Sequence, residues 1–139
     1  MENQRISSNV VHIVLWVVQV ILAVSLIWAA WMKLVQPIEQ LATMWPWAGQ
    51  VPVALVKMTG IVDLLGAAGL ILPSVLRIQP KLTPMAAISI IILMVCASVF
   101  HIMRGEVALI GVNIVFAILA AFVAWGRLTK APIMPSRNG

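Results

Sequence analysis

Asp63 is a carboxylate set in an apolar run long enough to cross a membrane, within the segment Gly60-Ile-Val-Asp63-Leu-Leu-Gly66-Ala-Ala-Gly69-Leu-Ile-Leu-Pro73. A charge at bilayer depth requires a partner, a proton or a water path, and these three chemistries frame the reading. The residues around the acid are small, so its helix face is one that other helices can approach closely. Lys57 is a poor partner, because six residues place it about 9 Å away along a helix axis and on another face. His101, or a basic group from the outer loop, is the better expectation.

Residues three, four and seven apart share a helix face. In the second apolar run this rule groups Thr59, Gly60, Asp63, Gly66 and Ala67. In the fourth it groups Asn113 with Ala117, Ala120, Ala121 and Ala124, and with Glu106 two turns earlier. The first offers Gln19, Ala23, Leu26, Ala30 and Lys33, and the third Met94, Ala97, Ser98 and His101. Each run therefore carries a polar group on a face fit for burial. Counted at about 1.5 Å per residue from the outer helix ends, Lys33, Glu106 and His101 lie near the outer surface. Asn113 is then roughly 10 Å down, and Asp63 and Gln19 roughly 18 to 21 Å down. The candidate polar pocket is thus a trail of Asp63, His101, Asn113, Gln19, Lys33 and Glu106. Trp28, Trp31, Trp45 and Trp47 are candidates for its wall or for the membrane interface. Gly60, Gly66, Ala117 and Ala121 are candidates for close helix packing.

Cofactor signals are sparse. His12 and His101 fall at opposite ends of their runs, which disfavours a haem held between them, and no Cys/His cluster has metal-site spacing. No metal site is expected. The single cysteine, Cys96, is inside the third run and reads as a buried small hydrophobe.

The elements that must position these groups follow from composition. With 63% of the 139 residues hydrophobic and 9% charged, the chain reads as one integral membrane domain, 1–139. Four runs, 10–32, 51–72, 84–103 and 107–125, reach the ~20 residues that a bilayer-spanning helix needs. The first is longer than a signal-peptide core and has no small-residue cleavage site before Lys33, so it is expected to be a permanent span. The expected fold is all-α, a membrane four-helix bundle. Arg5, Arg77, Lys81, Arg127, Lys130 and Arg137 fall on the side of the termini, against Lys33 and Arg104 on the other, which places both termini in the cytoplasm. The formal charge of +5 is spread over helix ends, so a lipid bilayer and not nucleic acid is the expected partner.

Between the first two spans lies a Trp-rich outer loop containing Pro37, Trp45, Pro46, Trp47 and Gly49, expected to form a short helix or a partly re-entrant loop lying on the outer face. Pro73 is expected to close the second span, Thr83 to cap the third and Pro84 to open it. The tight Arg104-Gly105-Glu106 connection makes the last two spans antiparallel neighbours.

Trp16 with Gln19, Lys33-Leu34, the Gly60 to Pro73 segment, Pro80, Leu82-Thr83-Pro84, His101, Asn113 and Arg127 together resemble the DoxX-like family of small four-span bacterial membrane proteins. The resemblance implies a four-helix bundle in the bacterial cytoplasmic membrane and an association with membrane redox systems, including quinone-linked sulfur oxidation. Some eukaryotic relatives resemble assembly chaperones for other membrane proteins. The family carries Glu where this chain has Asp63, one methylene shorter, which bears on any contact across the bundle. The leading expectation is an accessory subunit that holds a quinone-like or other small apolar ligand in the outward-facing half of the bundle, or docks a membrane or periplasmic redox partner. A self-contained enzyme using Asp63 to handle protons is a second reading. A structural or chaperone-like module that binds other membrane helices, or a second copy of itself, is a third.

Overall fold

The computed structural model describes residues 2–136, with side-chain surroundings from residue 9 onward. Every regular element among them is helical. Helix α1, Glu2–Val35, contains neither glycine nor proline and ends one residue before the Gln36–Pro37 pair, where the proline ring disfavours a helical predecessor. A short helix α2, Ile38–Met44, follows, and then a tight turn at Pro46–Gly49. Helix α3 spans Val53–Leu76, α4 spans Leu82–Met103 and α5 spans Ile110–Trp125. A 3-10 turn at Val107–Leu109 leads into α5, and a widened turn at Gly126–Lys130 extends it. Four segments are long and apolar enough to cross a membrane: Asn9–Val35, Val53–Leu76, Leu82–Met103 and Val107–Lys130.

Two expected helix boundaries are displaced. Helix α3 runs through Pro73 to Leu76 and ends at Arg77, whose φ of 55° is left-handed. A proline in a helix interior removes one hydrogen bond and crowds the preceding turn, and here Pro73 is tolerated in a buried position facing other helices. Thr83 is not the cap of α4, which begins one residue earlier at Leu82. Its hydroxyl instead lies 2.7 Å from the Ser74 hydroxyl across the bundle.

The four long helices close a ring in which α1 and α4 each touch both α3 and α5. Between them lies an apolar core that includes Leu22 and Leu26 of α1, Leu70 of α3, Ile90 of α4 and Val123 of α5. The outer surface is apolar too: Val17, Ile21, Leu65, Ile92 and Ile118 are all exposed, as a lipid-facing surface requires. Apolar burial gives helices little reason to associate in lipid, so close backbone approach must supply the contact. Gly60 is where α1 and α3 meet most tightly, since a Cβ there would fall 2.9 Å from the Lys33 Cβ. Gly126 does the same for the end of α5 against Leu15, at 2.5 Å.

The expected packing positions divide. Gly60 is buried in a tight contact, whereas Gly66 has only ordinary neighbours at 3.5 Å or more. Ala117 is partly buried and Ala121 is exposed, because α5 turns Ala120, Val123 and Ala124 to the core instead. Cys96, expected to be buried, is exposed on the lipid-facing side of α4.

The chain between α1 and α3 forms a lid over one end of the bundle. Leu41 and Ala48 are fully buried there with Val56, and Met32, Trp45 and Trp47 pack around them. We call this the loop end. The opposite, terminal end carries the start of α1, the α3–α4 connection and the end of α5.

Candidate functional site

Two polar clusters occupy the bundle, one at each end. The loop-end cluster begins with the α1 stripe of Gln19, Ala23, Leu26, Ala30 and Lys33, which is buried up to the lysine at its end. The small Gly60 lets α1 and α3 close together at this level, and Lys33 then reaches one turn along α3 to Asp63. Its Nζ lies 2.7 Å from Asp63 Oδ2, with side-chain exposures of 13% and 4%. The ammonium is also 5.9 Å from the ring centroids of both Trp45 and Trp47, within cation–π range. The acid's partner is therefore the lysine that ends the first span.

Counting depth from the ends of helices separates these two residues by about 18 Å. That separation fails because α3 extends two turns beyond the end of α1. Lys33 is level with Gly60, seven residues into α3, and its four-carbon stem covers the remaining turn. The shorter Asp side chain is thus sufficient for the contact. Lys57 is turned away from the acid and donates to the Leu34 carbonyl at 3.1 Å.

Trp47 connects this pair to α4, since its ring stands edge-on to Phe100 at 6.0 Å and to His101 at 6.4 Å. His101 Nδ1 lies 3.9 Å from Glu106 Oε2, too long for a hydrogen bond, and is buried without another partner. Glu106 instead pairs with Arg104, which also bonds the Gln50 side chain and so ties the α4–α5 turn to the lid. Asn113 Nδ2 is likewise buried without a hydrogen bond. Trp28 meets Trp45 edge-on at 5.7 Å while leaving half its surface exposed, and Trp31 is exposed on the lipid-facing side.

Beside Asp63 a cleft of about 160 Å³ opens between α3 and α4, lined by Leu26, Val62, Leu65, Gly66, Ile90 and Leu93 among others. Among the described residues Asp63 is its only charged lining residue. Ala86 and Ser89 are shared with a second, shallower cleft of about 440 Å³ that continues past Gly69 to Leu82. Together they form an apolar furrow along the α3–α4 seam.

Gln19, expected on the same trail as Asp63, belongs to the other cluster. Its amide donates to the Leu70 carbonyl at 2.7 Å and accepts from Arg127 Nε at 2.7 Å. Arg127 is 3% exposed, lies against the Trp16 ring at 5.6 Å, and reaches His12 Nδ1 at 2.9 Å and the Ala131 carbonyl at 2.8 Å. The Ser74–Thr83 pair adjoins Gln19, whose amide nitrogen lies 3.4 Å from Ser74 Oγ. All four long helices are thereby joined at the terminal end. Between the clusters, Leu22, Leu26, Ala67 and Leu70 form an apolar layer, so the polar side chains make two sites and not one continuous trail. His12, Ser74, Thr83 and Arg127 are absent from the sequence-based set. The signal for two of them was present: His12 is seven residues before Gln19, and Arg127 continues the Ala120–Ala124 stripe at steps of three and four.

A ring of four long apolar helices, closed by a tryptophan lid and enclosing Asp63 and Arg127, defines a small multi-pass membrane protein. The model of the DoxX-like family matches residues 17–123, and the chain belongs to that family. The matched segment takes in Gln19, Lys33, Asp63, Thr83, His101 and Asn113, and stops short of His12, Trp16 and Arg127. No curated protein and no solved structure matches the chain. Among the described residues no three His, Cys, Asp or Glu side chains are grouped as metal ligands.

Proposed function

We propose that the protein is an accessory subunit of a membrane redox system that holds a quinone-like amphiphile, its apolar tail along the α3–α4 furrow and its polar head against the Lys33–Asp63 pair. The observation that carries this reading is the cleft beside Asp63, lined by apolar residues apart from Ser89 and one carboxylate whose charge is already balanced by a lysine. Small-ligand sites are commonly built in this way, from an apolar pocket with a few fixed polar groups. From Asp63 to Pro73 the furrow runs about 15 Å, room for an extended tail. The engagement of Asp63 by Lys33 favours a holding site over a proton-transferring one, because the carboxylate is committed to its ion pair. In this reading the lid faces outward from a bacterial cytoplasmic membrane and the arginine- and lysine-rich terminal end faces the cytoplasm, following the distribution of basic residues. The lid would then present Trp45 and Trp47 to a membrane or periplasmic redox partner.

Purification in mild detergent followed by mass spectrometry of extracted quinones and lipids tests the proposal. The expected result is a quinone or similar amphiphile in the wild-type protein that is lost on Ser89→Phe, at an exposed position shared by both clefts. Absence of any bound amphiphile, with no quenching of tryptophan fluorescence by an added short-chain quinone, would overturn it. A second membrane protein recovered in the furrow's place would favour the helix-binding reading.

A further inference from the structure

The buried Arg127 at the terminal end has no carboxylate partner among residues 9–136. Among the residues from 9 to 136, whose side-chain surroundings are described, the acidic side chains Glu39, Asp63 and Glu106 all belong to the loop end, where Asp63 and Glu106 are paired with Lys33 and Arg104. Arg127 has only neutral acceptors, namely Gln19 Oε1, His12 Nδ1 and the Ala131 carbonyl, and its Nη2 is buried with no partner. A guanidinium cannot relieve this by losing its proton, and its planar fork of five donors matches the oxygens of a phosphate.

The cover over this group is a short strap. Residues 131–136 run from Arg127 to the end of α3, where the Arg77 side chain donates to the Met134 and Pro135 carbonyls and the Ser136 amide donates to the Arg77 carbonyl. Ala131 is buried at its start and Ile133 is half-buried, whereas Pro132, Met134 and Pro135 are exposed, so beyond Ala131 the strap is held chiefly by hydrogen bonds. Segments of that kind open at low cost. Lifting it would free the Arg77 guanidinium and one donor of Arg127, exchanging three carbonyl contacts for anionic oxygens. Lys81 and Lys130 belong to the same end and are exposed.

We propose that the terminal end of the bundle binds a phosphate-bearing anion, seated on Arg127 and Arg77 beneath the 131–136 strap. A phospholipid headgroup and free phosphate share this chemistry. The level of the site favours the lipid, because basic pockets between spans at the membrane surface meet headgroup phosphates there.

Native mass spectrometry and thermal unfolding of the full chain provide the test, with phosphatidylglycerol, phosphatidylcholine and inorganic phosphate as separate additions. Phosphatidylglycerol is expected to be retained at least tenfold better than phosphatidylcholine and to raise the unfolding midpoint by several degrees. Arg127→Gln should abolish that preference, and Arg77→Gln, at an exposed position that leaves the core intact, should weaken it severalfold. A response to phosphatidylglycerol alone identifies the lipid as the source, and an equal response to inorganic phosphate identifies a free-anion site. No preference for the anionic lipid together with no response to phosphate would overturn the proposal. So would full retention in folded Arg77→Gln protein, even if Arg127→Gln fails to fold.

Discussion

Replacing Lys33 by Met keeps the volume of the stem and removes the charge, leaving the Asp63 carboxylate buried without its partner. The two groups are 2.7 Å apart, so at an effective dielectric of ~20 their gross attraction is about 6 kcal/mol. Taking both ions out of water costs several kcal/mol each, so the net worth of the pair is far smaller than this attraction. The asymmetry is what can be measured. Breaking a buried pair on one side typically costs ~3–5 kcal/mol, whereas replacing both partners with apolar groups of similar size is close to neutral. Lys33→Met and Asp63→Leu are therefore each expected to destabilise the fold by about 3 kcal/mol or more, and the double variant by less than either single change. Reversible unfolding in mixed detergent–SDS micelles gives all four free energies, and tryptophan fluorescence in a background where the other four tryptophans are replaced by Phe reports whether the lid with Trp45 and Trp47 stays closed. Single variants within about 1 kcal/mol of wild type, with additive effects in the double, would refute a buried and coupled pair.

The same unfolding assay separates the glycines. Gly60→Ala is expected to cost about 1–3 kcal/mol because its Cβ would meet those of α1 at 2.9 Å, while Gly66→Ala, with neighbours at 3.5 Å or more, should be within about 0.5 kcal/mol of wild type. Gly126→Ala should be similarly damaging and be partly rescued by Leu15→Ala, which removes the atoms it strikes. Ser74→Ala breaks the 2.7 Å bond to Thr83 and should cost about 1 kcal/mol. Asn113→Leu removes a buried donor that has no partner, so it is expected to be neutral or to stabilise by up to about 1 kcal/mol. A loss of stability there would show that Asn113 is hydrogen-bonded in the membrane.

The sequence was most legible where helical periodicity alone decided the outcome. Gln19, Ala23, Leu26 and Ala30 of the first stripe are buried with Lys33 half-buried at its end, and of the second face Gly60, Asp63 and Ala67 are buried while Thr59 and Gly66 are half-buried. Relative height was less legible, because it depends on where neighbouring helices begin. That is why Lys33, assigned to the surface, and Asp63, assigned to mid-membrane, are in contact. Ala121 illustrates a limit of another kind: within a run of alanines, spacing alone does not choose between Ala120 and Ala121, and the contacts with α1 and α4 settle it. Local rules for helix ends place Pro73 and Thr83 at boundaries, yet α3 continues through Pro73, and Thr83 bonds Ser74 across the α3–α4 seam instead of capping its own helix.

The division of polar groups into two clusters bears on what the bundle can carry. A proton path from the lid to the terminal end would require closely spaced donors and acceptors, and the layer of Leu22, Leu26, Ala67 and Leu70 supplies none with its side chains. The two ends are balanced by different means. At the loop end Lys33 and Asp63 neutralise each other beside an apolar cleft, which suits a neutral amphiphile. At the terminal end Arg127 is enclosed by neutral acceptors and retains an unmet donor, which suits an anion. If the two proposed ligands are right, one exchanged between the ends would have to change charge on the way, so the two proposals together predict independent sites and no conduit.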